Sequence, residues 1–284
     1  MEIIETVEDM QARAEELRLA GKVLALVPTM GFLHEGHLEL MRVGRKQADI
    51  LMISIFVNPT QFGPNEDYEK YPRDTEGDLA KARSVGVDIV YFPNAGEMYP
   101  EGHQTNVSVQ KVTRHLCGLS RPGHFDGVTT VVAKLFNATK PHLAIFGQKD
   151  YQQLTVISRM VQDLNMDIQI VGIPTVREPD GLAMSSRNSY LNPEERKSAL
   201  CLRKSLDLAE ALFRQGETNA ETIRKSIEEL VMSHPHTRID YINICDPITL
   251  EDIETLEGET LLALAVMVGK TRLIDNAVIG RDRG

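Results

Sequence analysis

Apolar and polar positions alternate along this chain on two length scales. Short runs dense in Val, Ile and Leu recur: "VLALV" (23–27), "ILMISIFVN" (50–58), "VDIVYF" (87–92), "HLAIF" (142–146) and "IQIVGI" (168–173). Between them lie longer stretches with helical character, at about 36–48, 74–84, 127–139 and 150–164. The short runs are apolar at nearly every position rather than every second one, so both faces of each predicted strand are buried. Strands of that kind alternating with helices predict an α/β fold, a doubly wound parallel sheet flanked by helices.

The pattern changes after about Pro174. "NPEERKSALCLRKSLDLAEALFRQG" predicts one long helix, with Asn192 as N-cap and Pro193 at its first position. A second helix is expected over about 219–233, followed by strand-like "RIDYINICD" and "TLLALAVMV" and then "GKTRLIDNAVIG". These predict a smaller α+β domain over 176–284, after a first domain over 1–175. The polar, glycine-containing "REPDGLAMSSRN" (177–188) near the boundary is expected to be a loop. There is no internal repeat and no low-complexity stretch.

Composition narrows the class of partner. The chain has 284 residues, 42% hydrophobic and 25% charged, as in an ordinary soluble globular protein. A formal net charge of −10 argues against a general nucleic-acid or anionic-membrane surface, so an anionic substrate needs a local cationic pocket. Cys117, Cys201 and Cys245 are scattered and odd in number, which implies no disulfide framework and a reducing cytoplasm. The acidic N-terminus has no signal-peptide core, and no apolar run approaches the roughly 20 residues that span a bilayer.

Five stretches can carry chemistry. In "PTMGFLHEGHLEL" (28–40), His34 and His37 follow the first strongly apolar strand and open the next helix. A helix N-terminus at a strand's carboxyl end suits phosphate, and Gly36 lets a ligand approach the backbone. The alternatives are a metal site, for which HxxH lacks the HExxH spacing, and incidental core or surface histidines. In "FGQKDYQQL" (146–154), Lys149 can hold phosphate, Asp150 can accept from ribose hydroxyls or cap a helix, and Gln153 lies one turn further on. In "AMSSRN" (183–188), two serines and Arg187 offer donors to phosphate, or form a solvated loop. Asn58 and Gln61 in "SIFVNPTQF" suit a small polar substrate, or mark an Asn-Pro turn. "RPGHFDGVTTVV" (121–132) places Arg121 in a turn and Asp126 early in a helix, where the dipole alone favours it. A zinc site from His115, Cys117 and His124 lacks a fourth ligand at suitable spacing. There is no P-loop, GxGxxG or GxSxG motif.

Together, "VPTMGFLHEGHLEL", "SIFVNPTQF", "YPR", "SRPGHFDGV", "FGQKDYQQL", "DGLAMSSRN" and "RLIDN" closely resemble the pantoate–β-alanine ligase family of HxGH nucleotidyltransferases, in family order and nearly across the chain. The resemblance implies a Rossmann-like nucleotidyltransferase domain, a C-terminal lid domain and a homodimer. It implies a ligase that joins pantoate to β-alanine using ATP and Mg²⁺, through pantoyl adenylate, releasing pyrophosphate and then AMP. By the same resemblance, Met30, Gly31, Phe32, Leu33, His34, Glu35, Gly36 and His37 form one side of the ATP site. His34 and His37 lie against the phosphates, and His37 is the usual candidate acid. Gln61 and Gln153 bind pantoate. Gly147, Lys149 and Asp150 contact ribose and α-phosphate, with Gln148 between them where many members have Glu. Val176 and Met184 border the nucleotide, while Ser185, Ser186 and Arg187 hold its outer phosphates, as the KMSKS loop does in class I aminoacyl-tRNA synthetases. His37, His34, Lys149, Ser185 and Arg187 are thus the expected catalytic set, with no protein metal ligand assigned.

Overall fold

A computed structural model describes residues 1–64 and 66–280. In chain order its first elements are β1 (Glu2–Ile4), α1 (Val7–Leu19), β2 (Leu24–Thr29), α2 (Glu35–Gln47), β3 (Ile50–Ile55), α3 (Thr75–Ser84) and β4 (Ile89–Tyr91). Then come α4 (Ala95–Met98), α5 (Cys117–Ser120), α6 (His124–Thr139), β5 (Leu143–Gly147), α7 (Tyr151–Asp163) and β6 (Gln169–Ile173). The remainder supplies α8 (Pro193–Ala199), α9 (Cys201–Arg214), α10 (Ala220–Met232), β7 (Thr237–Cys245), β8 (Thr260–Val268) and β9 (Thr271–Ile279).

The chain divides into two compact units. The first comprises Met1–Gln110, Arg121–Gln148 and Gln153–Pro174, and the second Lys111–Ser120, Lys149–Gln152 and Thr175–Gly284.

The first unit carries a six-stranded sheet in the order β1-β4-β3-β2-β5-β6, with every pair parallel. Strands β2, β3, β4 and β5 are buried on both faces, as continuous apolar runs require. Strand β6, expected to be buried likewise from its apolar run, is instead an edge strand with every residue exposed or only partly buried. Ala25, Val27, Leu51, Ile53 and Ile145 join one core cluster, and the alternate positions Leu24, Leu26 and Met52 are also fully buried. Helix α2 lies close on the first of these faces. A Cβ at Gly44 would come 2.7 Å from Ile145 Cδ1 and 2.8 Å from Leu51 Cδ1, so a glycine sets that distance. The chain crosses from β2 to β3 on one side and reaches β5 on the other, which makes the gap beyond β2 and β5 the topological switch point.

Three elements of this unit, β1, α1 and the single-turn α4, have no counterpart in the sequence expectations. Strand β1 is a three-residue edge strand, too short to show a period. Helix α1 buries only Met10, Ala14 and Leu17, on one narrow stripe of an otherwise charged segment capped by Thr6.

The second unit has an antiparallel sheet, β7-β8-β9, against α9 and α10. Leu202, Leu206, Ile223, Ile227, Leu262, Leu264 and Val266 form its core. Asn192 caps as expected: its side chain accepts from the Glu194 and Glu195 amides while Glu195 reaches back to the Asn192 N–H. The expected single helix is instead two, α8 and α9. Leu200 interrupts it, its ψ of −13° tightening the turn between them. The short outlying segments belong here through Gln152, which is buried. It accepts from Cys117 N at 2.9 Å and donates to the Val112 and His115 carbonyls at 2.8 Å each.

The predicted loop at 177–188 is an ordered hairpin. Arg177 and Ala183 form a bridge, Glu178 N donates to Leu182 O, and Met184 N donates to Val176 O. Its anchor is a bidentate ion pair from Arg177 to Asp275 on β9, at 2.7 and 3.0 Å, with the Asp275 side chain fully buried. Removing one partner of a buried pair leaves an uncompensated charge. Arg177→Ala is therefore expected to lower unfolding free energy by about 3 kcal/mol, read by urea denaturation. A loss below about 1 kcal/mol would show the pair to be no stronger than a surface contact.

Candidate active site

The first unit presents a tight turn between β2 and α2. Thr29 closes the strand, its hydroxyl donating to Ser54 O at 2.7 Å and accepting from Gly31 N at 3.2 Å. Gly31 (φ 83°) and Phe32 (φ 50°) both adopt left-handed backbone, a conformation a glycine tolerates and a phenylalanine rarely does. The turn closes on Asp78 in α3, whose Oδ2 accepts from Phe32 N at 2.7 Å and whose Oδ1 accepts from Leu33 N at 2.6 Å. Asp78 is only 1% exposed. Burial pushes its carboxyl above the usual range, against the opposing pull of the two amides.

His34 is the N-cap of α2 and His37 stands in its first turn. Their rings stack, with centroids 4.0 Å apart and planes at 25°. The His37 Nδ1 accepts the His34 backbone N–H at 3.3 Å. In the neutral ring the hydrogen then sits on Nε2, which is left as a donor. A helix N-terminus with two imidazoles, at the switch point of a parallel sheet, carries partial positive charge and N–H donors of the kind that suit an anion.

Beside this turn stands a second polar group. Gln61 ends the 3-10 turn Pro59–Gln61 after β3, and its Nε2 lies 3.3 Å from Met30 Sδ. Asn58, 1% exposed, is the hub. Its Nδ2 donates to Gln61 Oε1 and to Gly127 O, each at 3.1 Å, and its Oδ1 accepts from Thr60 and from Tyr99 OH at 2.8 Å. The Gln61 carbonyl is held at 2.8 Å by His124 Nδ1 and at 3.3 Å by Arg121 Nη2. Arg121 also forks onto Glu66. Burial pushes the Glu66 carboxyl up, but the Arg121 guanidinium outweighs it and holds the group below the usual range. Arg121 and His124 thus have structural partners here, as does Cys117, whose Sγ lies 3.3 Å from Tyr241 OH in the second unit.

Beyond β5, Gly147 ends the strand and Gln148 begins a 3-10 turn. In α7 the half-buried Gln153 belongs to the first unit, unlike its buried neighbour Gln152.

In the second unit Lys149 keeps a 20% exposed side chain, with its Nζ 3.9 Å from Asp150 Oδ2. Its backbone is pinned by Asn276, which donates to Lys149 O at 2.8 Å. Val176 and Met184 pair across the hairpin. Ser185 caps the 3-10 turn Ser186–Tyr190 by accepting from Arg187 N at 3.3 Å, and Ser186 is buried. Asn188 ties the turn down through Glu178 Oε1 and Ala183 O. The residues of "RLIDN" therefore act from β9: Asp275 anchors the hairpin and Asn276 anchors Lys149.

Sequence reasoning named His34, His37, Gln61, Lys149 and the serine–arginine turn, but it missed the groups that hold them. Asp78 and Tyr99 lie in no motif, and Gly127, within "SRPGHFDGV", has no role assigned by it. The one available signal for Asp78 is its place one helical turn before Ala82, the other buried residue of α3.

The first unit is a Rossmann-like α/β domain with a helix N-terminus at its switch point. The family model described as pantoate-beta-alanine ligase matches residues 2–278. The pantothenate synthetase of Syntrophus aciditrophicus (strain SB) is 60% identical over 282 residues, covering 99% of either chain. The crystal structure of pantothenate synthetase from Thermus thermophilus superposes with a TM-score of 0.92 at 44% identity, covering 98% of this chain and 99% of that one. That of the Francisella tularensis pantoate-beta-alanine ligase, complexed with beta-gamma ATP and beta-alanine, gives 0.80 at 33% identity, with 98% and 97% coverage. The chain belongs to the pantoate–β-alanine ligase family, and it is accordingly an enzyme, a ligase.

Gly127 makes the polar group beside the turn testable. A Cβ there would fall 2.5 Å from Thr60 O and 2.7 Å from Gln61 N, both backbone atoms that cannot swing away. Gly127→Ala is expected to cost about 1–3 kcal/mol of stability by overpacking. It should also lower catalytic efficiency by displacing Gln61, measured by thermal melting together with steady-state kinetics. Unchanged kinetics would detach Gln61 from the site.

Proposed function

We propose that this ligase condenses pantoate with β-alanine in two steps, with MgATP as co-substrate. The observation that carries this reading is the His34–His37 pair at the α2 N-terminus, in a chain of this family. The Francisella relative's complex with an ATP and β-alanine supports it. In the first step a pantoate carboxylate oxygen bonds to the α-phosphorus, and the bond from that phosphorus to the bridging oxygen breaks. Pyrophosphate departs with the electron pair. In the second, the β-alanine amine bonds to the acyl carbon, the carbon–oxygen bond to AMP breaks, and the amine loses a proton.

Both steps join or release anions, so the protein's task is to place donors where charge gathers. His37 donates through Nε2, because a hydrogen on Nδ1 would confront the His34 N–H with a second donor. His34 and the turn from Met30 to Gly36 complete this side of the nucleotide site. Lys149, Ser185, Ser186 and Arg187 are the further donors to phosphate. Gly147, Gln148 and Asp150 serve the ribose and α-phosphate, and Val176 and Met184 border the nucleotide. Gln61 and Gln153 read pantoate, as amides suited to a hydroxyl and a carboxylate. Magnesium, a hard cation that favours oxygen ligands, would be held by phosphate oxygens and would offset their charge, since among the described residues no group of three or more His, Cys, Asp or Glu is placed to hold it. Among the described residues no helix is long and apolar enough to cross a membrane, and the enzyme is proposed to act in the cytoplasm as a homodimer.

The test is incubation with MgATP, pantoate and β-alanine, with AMP, pyrophosphate and pantothenate measured. All three should form in equal amounts, and pyrophosphate release should require pantoate but not β-alanine. His37→Ala and Lys149→Ala are each expected to slow adenylate formation roughly 10²–10³-fold. Rates within a few-fold of wild type would remove them from the mechanism. Gln61→Ala and Gln153→Ala should raise the KM for pantoate far more than that for ATP. Equal rises in both would reassign the two glutamines.

A further inference from the structure

The buried Asp78 carboxylate is the least expected group near the turn. A negative charge beneath a site for polyphosphate opposes binding, and its burial is itself costly. Yet both oxygens are committed: one accepts from Phe32 N, the other from Leu33 N, at 2.7 and 2.6 Å. Those two amides belong to the residues that make the turn irregular. Phe32 holds φ 50°, which an unassisted phenylalanine avoids, and Leu33 is 2% exposed. His34, the N-cap of α2, comes directly afterwards. A Cβ at Gly31 would meet Asp78 Oδ2 at 2.9 Å, so the turn has closed on the carboxylate as far as sterics allow. Helix α3 carries Asp78 in its first turn and is capped separately, by Asp74 accepting from Gly77 N at 3.0 Å.

We propose that Asp78 is the positioning residue of the nucleotide turn. By accepting the Phe32 and Leu33 amides it holds the left-handed turn that aims the His34 and His37 rings and the α2 N-terminus at the phosphates. The proposal rests on the nucleotide reading above and adds a residue that never touches the substrate. It also accounts for a charge of unfavourable sign: the carboxylate is the only common side-chain group with two acceptor oxygens spaced for two successive amides. An amide in its place offers one acceptor and turns a donor on the other N–H.

The test compares Asp78→Asn with Asp74→Ala, which removes the helix cap without touching the turn. Losing one charge-assisted bond to the turn should raise the KM for ATP by at least about tenfold in Asp78→Asn, with the KM for pantoate within about twofold. Amide hydrogen exchange across 30–38 should quicken in Asp78→Asn alone. Asp74→Ala should lower the melting temperature and leave both KM values near wild type. If Asp78→Asn does not fold, Gly31→Ala strains the same contact from the turn and should reproduce the selective rise in KM for ATP. Equal changes in both KM values, or unchanged exchange across 30–38, would overturn the proposal. Should the wild type release no pyrophosphate from ATP and pantoate, the functional reading fails instead, and the exchange comparison still decides whether Asp78 holds the turn.

Discussion

Two hydrogen bonds from backbone to one buried carboxylate govern the geometry of the first unit's site. The chain leaves β2 at Thr29 and must begin α2 at Glu35, reversing direction within five residues. No regular element supplies partners for the amides in between, and buried amides need them. Asp78 takes two, and Thr29 Oγ1 takes that of Gly31. With the turn closed this way, α2 starts at His34 and its first turn brings His37 back over it, so that the rings stack. Gly44, further along the same helix, lets α2 lie close enough to Ile145 and Leu51 for its N-terminus to sit at the switch point. The position of the α2 N-terminus is thus a consequence of packing at one end of the helix and of turn chemistry at the other.

What the sequence made legible follows from how local each signal is. Continuous apolar runs announced β2 to β6 of the parallel sheet but not the short edge strand β1, and the Asn192-Pro193 pair announced the start of α8 to the residue. The chemistry-bearing motifs lay at strand ends, where the doubly wound fold collects ligands. The missed features are those whose cause is distant in the chain. Asp78 acts 45 residues from Leu33, and Asn58 acts on Gly127, 69 residues away. Asp78 has no local pattern, and the Asn-Pro pair flags Asn58 without revealing what it binds, because the partner in each case is backbone, which carries no sequence identity. Gln152 and Gln153 make the same point at closest range. The two are adjacent and identical in type, yet Gln152 is buried and bonded to three backbone groups while Gln153 is half exposed. Only the tertiary environment separates scaffold from candidate ligand.

The hairpin at 177–188 shows why polarity misleads about order. Its composition is that of a solvated loop, rich in Glu, Asp, Gly, Ser and Arg. The polar groups are instead spent on one another. Arg177 is tied to Asp275, Arg196 to Glu178 and Asp180, and Asn188 to Glu178. Charged residues near a surface usually contribute little, but this network includes a fully buried carboxylate and a bidentate guanidinium, the geometry in which such pairs matter. Donors on Ser185 and Arg187 are therefore carried by an ordered frame. Positional precision of that kind is what electrostatic catalysis requires, since a donor must already point where charge will develop.

The same reasoning reconciles an acidic protein with anionic substrates. A net charge of −10 works against pantoate and ATP at long range, but charges beyond about 8 Å are largely screened at physiological salt. Within that distance the outcome depends on what the site presents. The turn of the first unit presents a helix N-terminus and two stacked imidazoles. Asp78, the buried carboxylate packed against the turn, has both oxygens turned to amides, whose dipoles offset part of its field. Surface charge can then serve solubility while the site's potential is set by a handful of backbone and side-chain dipoles, and the two can vary independently.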